Sequence, residues 1–418
     1  MKGNQTERAL RLAETLGGKD GLNCVAELDP TALAQAEAQG MRPGLPLAGV
    51  PVLVKDNVDA AGLHTTAGSL ALADNLARVD APVIRRLREN GAVILGKTNM
   101  TEFANYTADG MPGGYSSRGG QVIHAADPAL SPSGSSSGSA VAVAAGIVPM
   151  AVGTDTSFSV TVCAMANGIC GLKPPAGALS AEGIIPIART LDSAGAMAAD
   201  FSGTLKLYSA MREAPMAPVA PLSPAGLRLA VNRANGDRVP EDEKAFHRQL
   251  IERLRAEGAA VGELLQPPVR EVSVIMQWEF RPMLEDYLRH SSASRKTLAE
   301  IVEYYESHPA TMMKYGDACL RRALDETPGG LEGRPYLEAM EARRAAIPRI
   351  RGELAACDAV LMTGPTNIMH FCGLPSVAVA GGPKTAHGVS RAVILYGAEE
   401  DRLYAAALCV EGILRSMA

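Results

Sequence analysis

Two serine-rich turns stand at either end of an apolar stretch of small residues. The first reads Ser133-Gly134-Ser135-Ser136-Ser137-Gly138-Ser139 and the second Gly153-Thr154-Asp155-Thr156-Ser157-Phe158-Ser159. A serine hydroxyl can attack a carbonyl carbon, but at neutral pH it is a weak nucleophile and needs a base to take its proton. Glycines among the serines let the backbone adopt unusual dihedrals and come close to a substrate. No histidine lies within residues 131–174, so a Ser-His-Asp arrangement would need one folded in from a distance. Upstream, Lys55 ends the apolar run 50–54; from the residues alone, such a lysine reads as one that snorkels to water.

The segment between the turns alternates Ala and Val over 140–145, and Gly146 and Pro149 would end a helix there. A strand-like run then stops at Val152, so the expectation is a buried helix and strand holding two polar turns apart. Residues 6–16 carry helical spacing that Gly17-Gly18 ends, 24–28 read as a strand, and Asp29-Pro30 opens an Ala-rich helix followed by a turn over 40–44. Helix 81–89, the Asn90-Gly91 stop and strand 92–95 come next. In the second half, 227–231, 359–363, 376–380 and 391–395 read as strands and 242–256 and 403–414 as helices. Residues 272–357 are helix-rich, with helical spacing at 284–288, 298–305 and 312–324. The polar loop holding His64 reads as a loop, with the histidine not a base.

With 418 residues, 47% of them hydrophobic and 20% charged, the chain can bury a large core. Its 42 glycines and 4% aromatics suit an α/β protein with many tight turns. A net charge of −5 argues against nucleic acid or an anionic membrane as partner. Seven cysteines without a CxxC pair read as reduced, buried thiols of a cytoplasmic protein, and the Cys/His spacing offers no zinc site, so no metal or cofactor is expected. The charged N-terminus does not resemble a signal peptide, and no run of about 18 apolar residues is uninterrupted.

Taken together, three pieces resemble the amidase signature family. They are Ser135-Ser136, then Gly153-Thr154-Asp155-Thr156-Ser157 with Ser159, then Gly168-Ile169-Cys170-Gly171-Leu172-Lys173-Pro174, and the family's 24-residue interval separates Ser135 from Ser159. The Lys55-Asp56 context matches the one in which family members keep a catalytic lysine. The resemblance implies an α/β fold, a large mixed twisted sheet covered by helices on both faces, in one domain over 1–418. It implies Lys55 as the base, Ser135 as a bridging serine after a cis peptide, and Ser159 as the nucleophile. It also implies an oxyanion hole from the backbone of Thr156, Ser157, Phe158 and Ser159, with Ser136 and Asp155 in support. The tract holding Met111, Gly113 and Gly114 resembles the acyl-pocket loop of the bacterial peptide-amidase-like branch, with Phe158 as a further substrate contact. Residues 184–195 resemble a turn packed against the site, and 272–357 a helical insert shaping the substrate channel.

Three departures set expectations of their own. Phe158 stands where the family has glycine, and glycine dihedrals need not suit it. Thr161 replaces an arginine that many members carry, which would leave Asp155 without an ionic partner. The segment Asn367–Cys372 before Gly373-Leu374-Pro375 is short for the family, so one wall of the site would be open or supplied by the second copy in a homodimer. The implied activity is hydrolysis of a small carboxamide or peptide-like amide. The alternatives are amidotransferase-type acyl transfer and a catalytically weakened, ligand-binding relative created by Phe158.

Overall fold

A computed structural model describes residues 3–40 and 44–418. The turn expected over 40–44 falls for the most part outside the described residues. Strands β1 (Val25–Leu28), β2 (Pro51–Lys55), β3 (Val93–Thr98), β6 (Met150–Asp155), β7 (Cys170–Lys173) and β8 (Ser193–Ala198) form one half of an 11-stranded sheet. The other half holds β9 (Arg228–Asn232), β10 (Ala260–Leu264), β11 (Ala359–Met362), β12 (Ser376–Lys384) and β13 (Ser390–Tyr396). The order is β1-β3-β2-β6-β8-β7-β12-β13-β11-β9-β10. A separate two-stranded ribbon pairs β4 (Tyr115–Ser116) with β5 (Gly120–Gln121).

β2 lies parallel to both β3 and β6, while β6, β8, β7, β12, β13 and β11 pair antiparallel in succession. The sheet is therefore mixed, and its buried centre explains why these strands are runs of apolar and small residues. Alternation sorts the side chains to two faces. Leu53, Ala151, Met197, Ala378 and Ile394 share a core with helices α1 (Gly3–Thr15), α2 (Ala32–Gly40), α4 (Ser137–Ala144) and α5 (Thr161–Ala166). Val52, Val54, Val152, Leu172, Leu361 and Val393 share one with α3 (Pro82–Glu89), α6 (Phe201–Met211), α7 (Glu241–Ala256) and α14 (Glu400–Ser416).

A third cluster brings the helix-rich stretch onto the sheet. Helices α8 (Glu271–His290), α9 (Leu298–Ser307), α10 (Pro309–Met312), α11 (Ala318–Asp325) and α12 (Arg334–Leu354) pack with Ala230, Val360 and Tyr396, and with Phe103, Ile185 and Phe371. The last is on the short helix α13 (Ile368–Phe371). A Thr297 and Glu300 capping box starts α9, each side chain meeting the other's backbone N–H. Residues 312–324 are not one helix: the chain breaks after α10 and restarts at α11, passing through Gly316 at φ 81°. Strand β6 also runs on past Val152 to Asp155, because Thr154 and Asp155 pair with Ala194 and Ser193 of β8. No helix among the described residues is long and apolar enough to cross a membrane.

Candidate active site

β2 delivers Lys55 to the sheet's interior, between β3 and β6, where its side chain is fully buried. It does not snorkel. Nζ lies 2.8 Å from Ser135 Oγ, 2.8 Å from Thr154 Oγ1 and 3.2 Å from the Thr154 carbonyl. Burial pushes the amine down from 10.5 to about 7, against a smaller upward pull from Cys163, Asp155 and Asp192. Among the described residues no carboxylate stands within salt-bridge distance of it.

The first turn is docked onto β6 by its own hydroxyls. Ser136 Oγ donates to the Thr154 carbonyl at 3.0 Å and accepts the Thr154 N–H at 3.3 Å, while Ser139 Oγ donates to the Val152 carbonyl at 2.9 Å. A Cβ on Gly153 would stand 2.9 Å from Ser136 Oγ, so glycine is what lets the turn settle there. The Gly134–Ser135 peptide is cis. Across the turns, Ser136 N–H donates to the Ser159 carbonyl at 3.3 Å. Lys55 and Ser135 thus meet through their side chains, whereas Ser159 is tied to the first turn through its carbonyl, and it is 7% exposed where the other two are 0%.

Around the second turn the picture departs from expectation in two places. The N–H of Phe158 donates to His370 Nε2 at 3.0 Å, so the turn does not offer all four of its N–H groups to a substrate. Those of Thr156, Ser157 and Ser159 meet no hydrogen-bond acceptor among the described residues. Asp155 does have a partner: His370 Nε2 lies 3.0 Å from Oδ1, and Val160 N–H donates to Oδ2 at 2.7 Å. Burial alone would raise the Asp155 carboxyl, but His370, Val160 N–H and the charge of Lys173 outweigh it and hold it below its usual value. Phe158 takes φ 71°, the left-handed region in which glycine is at ease and a bulky residue is not.

Residues the sequence reading passed over complete the surroundings. Asn57 donates to Thr154 Oγ1 at 3.0 Å and to the Ile185 carbonyl at 3.2 Å. Asp192, within the stretch expected to pack on the site, accepts Thr156 Oγ1 at 2.5 Å and the N–H groups of Ile187 and Ala188, and burial raises it to about 7. His370 comes from α13, and its only sequence signal was an aspartate deprived of an arginine. His64 lies apart from these groups, paired with Glu27 of β1.

The Met111, Gly113 and Gly114 tract backs the first turn. A Cβ on Gly113 would meet the Ser133 carbonyl carbon at 2.5 Å, Gly114 N–H donates to Thr101 Oγ1 at 2.8 Å, and Met111 is buried. Phe158 instead lines a groove of ≈ 860 Å³ with Val162, Met165, Met362, Pro365 and Ile394. None of Met111, Gly113 and Gly114 lines it.

A buried amine, two serines and free backbone donors fit acyl transfer, and comparison with known proteins agrees. The sequence model described as Amidase matches residues 6–371. A probable amidase of Arabidopsis thaliana is 32% identical over 396 residues, 86% of this chain and 77% of its own length. The A subunit of the glutamyl-tRNA(Gln) amidotransferase of Deinococcus deserti is 38% identical, but the match spans 59% of this chain and 53% of that protein. In three dimensions, the native peptide amidase of Stenotrophomonas maltophilia superposes with a TM-score of 0.89 at 30% identity, covering 99% of this chain and 94% of that one. Family, relatives and architecture point the same way: the chain belongs to the amidase family and is an enzyme of amide C–N bond hydrolysis.

Proposed function

We propose that this amidase cleaves a small carboxamide or peptide-like amide through a covalent acyl-enzyme on Ser159, with Ser135 as bridge and Lys55 as base. The observation that carries this reading is the accounting of protons at Lys55. A neutral amine has two N–H donors and one lone pair. Two acceptors, the Thr154 carbonyl and Oγ1, take the N–H groups, and the third neighbour is a hydroxyl able to give its proton to the lone pair, Ser135 Oγ at 2.8 Å.

In this mechanism Ser135 passes its proton to Lys55 as it receives one from Ser159, and Ser159 attacks the carbonyl carbon. The N–H groups of Thr156, Ser157 and Ser159 stabilise the resulting oxyanion, each such donor being worth roughly 3 kcal/mol in the transition state. The proton returns along the same relay to the leaving nitrogen, which departs as ammonia or an amine. Water then repeats the sequence on the acyl-enzyme. Ser136 and Asp155 hold the two turns. The whole chain acts as one domain, with 272–357 forming a wall of the approach to the site and Phe158 limiting what fits beside the nucleophile. The free, mostly buried cysteines suit a cytoplasmic setting.

A fluorophosphonate that phosphonylates reactive serines tests the assignment. Labelling of the native protein that disappears in Ser159→Ala is the expected outcome. Labelling that persists in Ser159→Ala would contradict the nucleophile, and an unlabelled native protein would favour a ligand-binding role created by Phe158. Amide transfer to ammonia or hydroxylamine is the second reading, prompted by the amidotransferase relatives; product partition between acid and hydroxamate separates the two.

A further inference from the structure

One atom of the buried His370 ring has two claims on it. Nε2 lies 3.0 Å from the Phe158 nitrogen and 3.0 Å from Asp155 Oδ1. The Phe158 N–H can be received only by a bare Nε2, whereas an ionised Asp155 is met attractively only by an Nε2 that carries a proton. A neutral imidazole has one proton for two nitrogens, and Nδ1 is buried without a partner among the described residues, so neither tautomer satisfies every group around it. The Phe158 ring rests edge-on against the imidazole, centroids 4.5 Å apart, and its backbone is held at φ 71°. The nearest other charges are those of Asp155 on β6 and Lys173 on β7.

We propose that His370 is a positioning residue for amide cleavage: with Nε2 bare it clamps the Phe158 peptide, and with the proton on Nε2 it turns to Asp155 and frees the Phe158 N–H for the oxyanion. The ring stays neutral in both states and exchanges one tautomer for the other, a proton leaving Nδ1 as one reaches Nε2. Asp155 is held by the Val160 N–H and the Lys173 charge in the first state and by His370 as well in the second. The clamp does for a phenylalanine what a glycine's own freedom would do without help. The inference rests on Ser159 being the nucleophile, since it is the oxyanion formed there that the released N–H would meet.

Nitrogen NMR of native protein carrying ¹⁵N in its histidine rings reads the tautomer directly, with the His370 signals assigned by their loss in His370→Gln. Spectra are compared before and after a fluorophosphonate has reacted at Ser159, because the phosphonyl oxygen then occupies the oxyanion position. A bare Nε2 in the free protein that becomes protonated in the adduct is the expected result, and the same tautomer in both overturns the proposal. Rates give an independent reading. His370→Gln should slow labelling about 10- to 100-fold, and Phe158→Gly combined with it should slow labelling by less than the product of the single effects. A native labelling rate in His370→Gln overturns the clamp. A native protein unlabelled at Ser159 removes the nucleophile on which the clamp depends, a different failure that ends both readings.

Discussion

Lys55 and Lys97 sit on neighbouring parallel strands, both with fully buried side chains, yet their surroundings ask opposite things of the amine. Lys97 donates to the Val58 carbonyl at 2.6 Å, the His64 carbonyl at 3.0 Å and Thr65 Oγ1 at 3.0 Å, with Asp56 4.0 Å away. Three acceptors and a carboxylate describe a cage for an ammonium ion. Lys55 has two acceptors, a serine hydroxyl and no carboxylate in contact, which describes a neutral amine with a use for its lone pair. Burial lowers both amines, and for Lys55 it reaches about 7. Burial alone therefore does not make a base; what lies around the nitrogen decides whether the proton is kept or traded.

Exchanging each lysine for methionine gives the largest test. On the proposed mechanism, Lys55→Met should lower kcat about 10⁴-fold with the fold intact, since Lys55 Nζ is the one hydrogen-bond partner of Ser135 Oγ among the described residues. Lys97→Met should leave kcat per folded molecule within a few-fold and instead cost about 3 kcal/mol in denaturant unfolding, by taking the amine's hydrogen bonds from the Val58 and His64 carbonyls and Thr65 Oγ1, while Asp56 keeps Thr66, Gly68 and Arg118. A folded but inactive Lys97→Met would collapse the distinction.

The stability of Lys55→Met sharpens it from the other side. A folded-state value of about 7 against 10.5 unfolded means that the unfolded chain binds more protons between those limits, so native stability rises with pH across that window. The variant lacks this rise, so from above pH 10.5 to below pH 7 the native protein should lose about 5 kcal/mol of stability relative to it. Equal pH dependence in both would mean that Lys55 is not depressed.

The smallest effect is in the pH profile. Because only neutral Lys55 can act, kcat/KM should fall tenfold per unit below an acid limb near 7 and level off above it. A limb near 10 would mean that Lys55 titrates as a lysine in water does and is not depressed by its burial.

The serine turns and the sheet's apolar strands were legible because their signals are local: a motif of fixed spacing, and runs of small or β-branched residues; the burial of Lys55 was not, since a lysine at a strand's end reads as one that snorkels. β8 was not, since Ser193–Ala198 is a run of small residues without a strand's alternation, and its pairing with β6 defines it. For the same reason β6 was cut short, because polar Thr154 and Asp155 do not look like strand interior until Ala194 and Ser193 stand beside them. His370 lies 215 residues from Asp155, and only folding brings the two together. Glu279 is similar: a helical carboxylate that reads as surface, yet is buried where Thr190 N–H and Tyr336 OH donate to it. Long-range satisfaction of buried polar groups leaves no periodic trace in a sequence.

Lys55 is bracketed by β3 on one side and β6 on the other, and Thr154, which meets its amine, belongs to β6. Moving Thr154 away from the amine would mean shearing β6 against β2, so this contact is tied to the sheet and not to the peripheral helices. Substitutions at Phe158 and along the groove beside it can then be made without disturbing the strand register that holds Lys55.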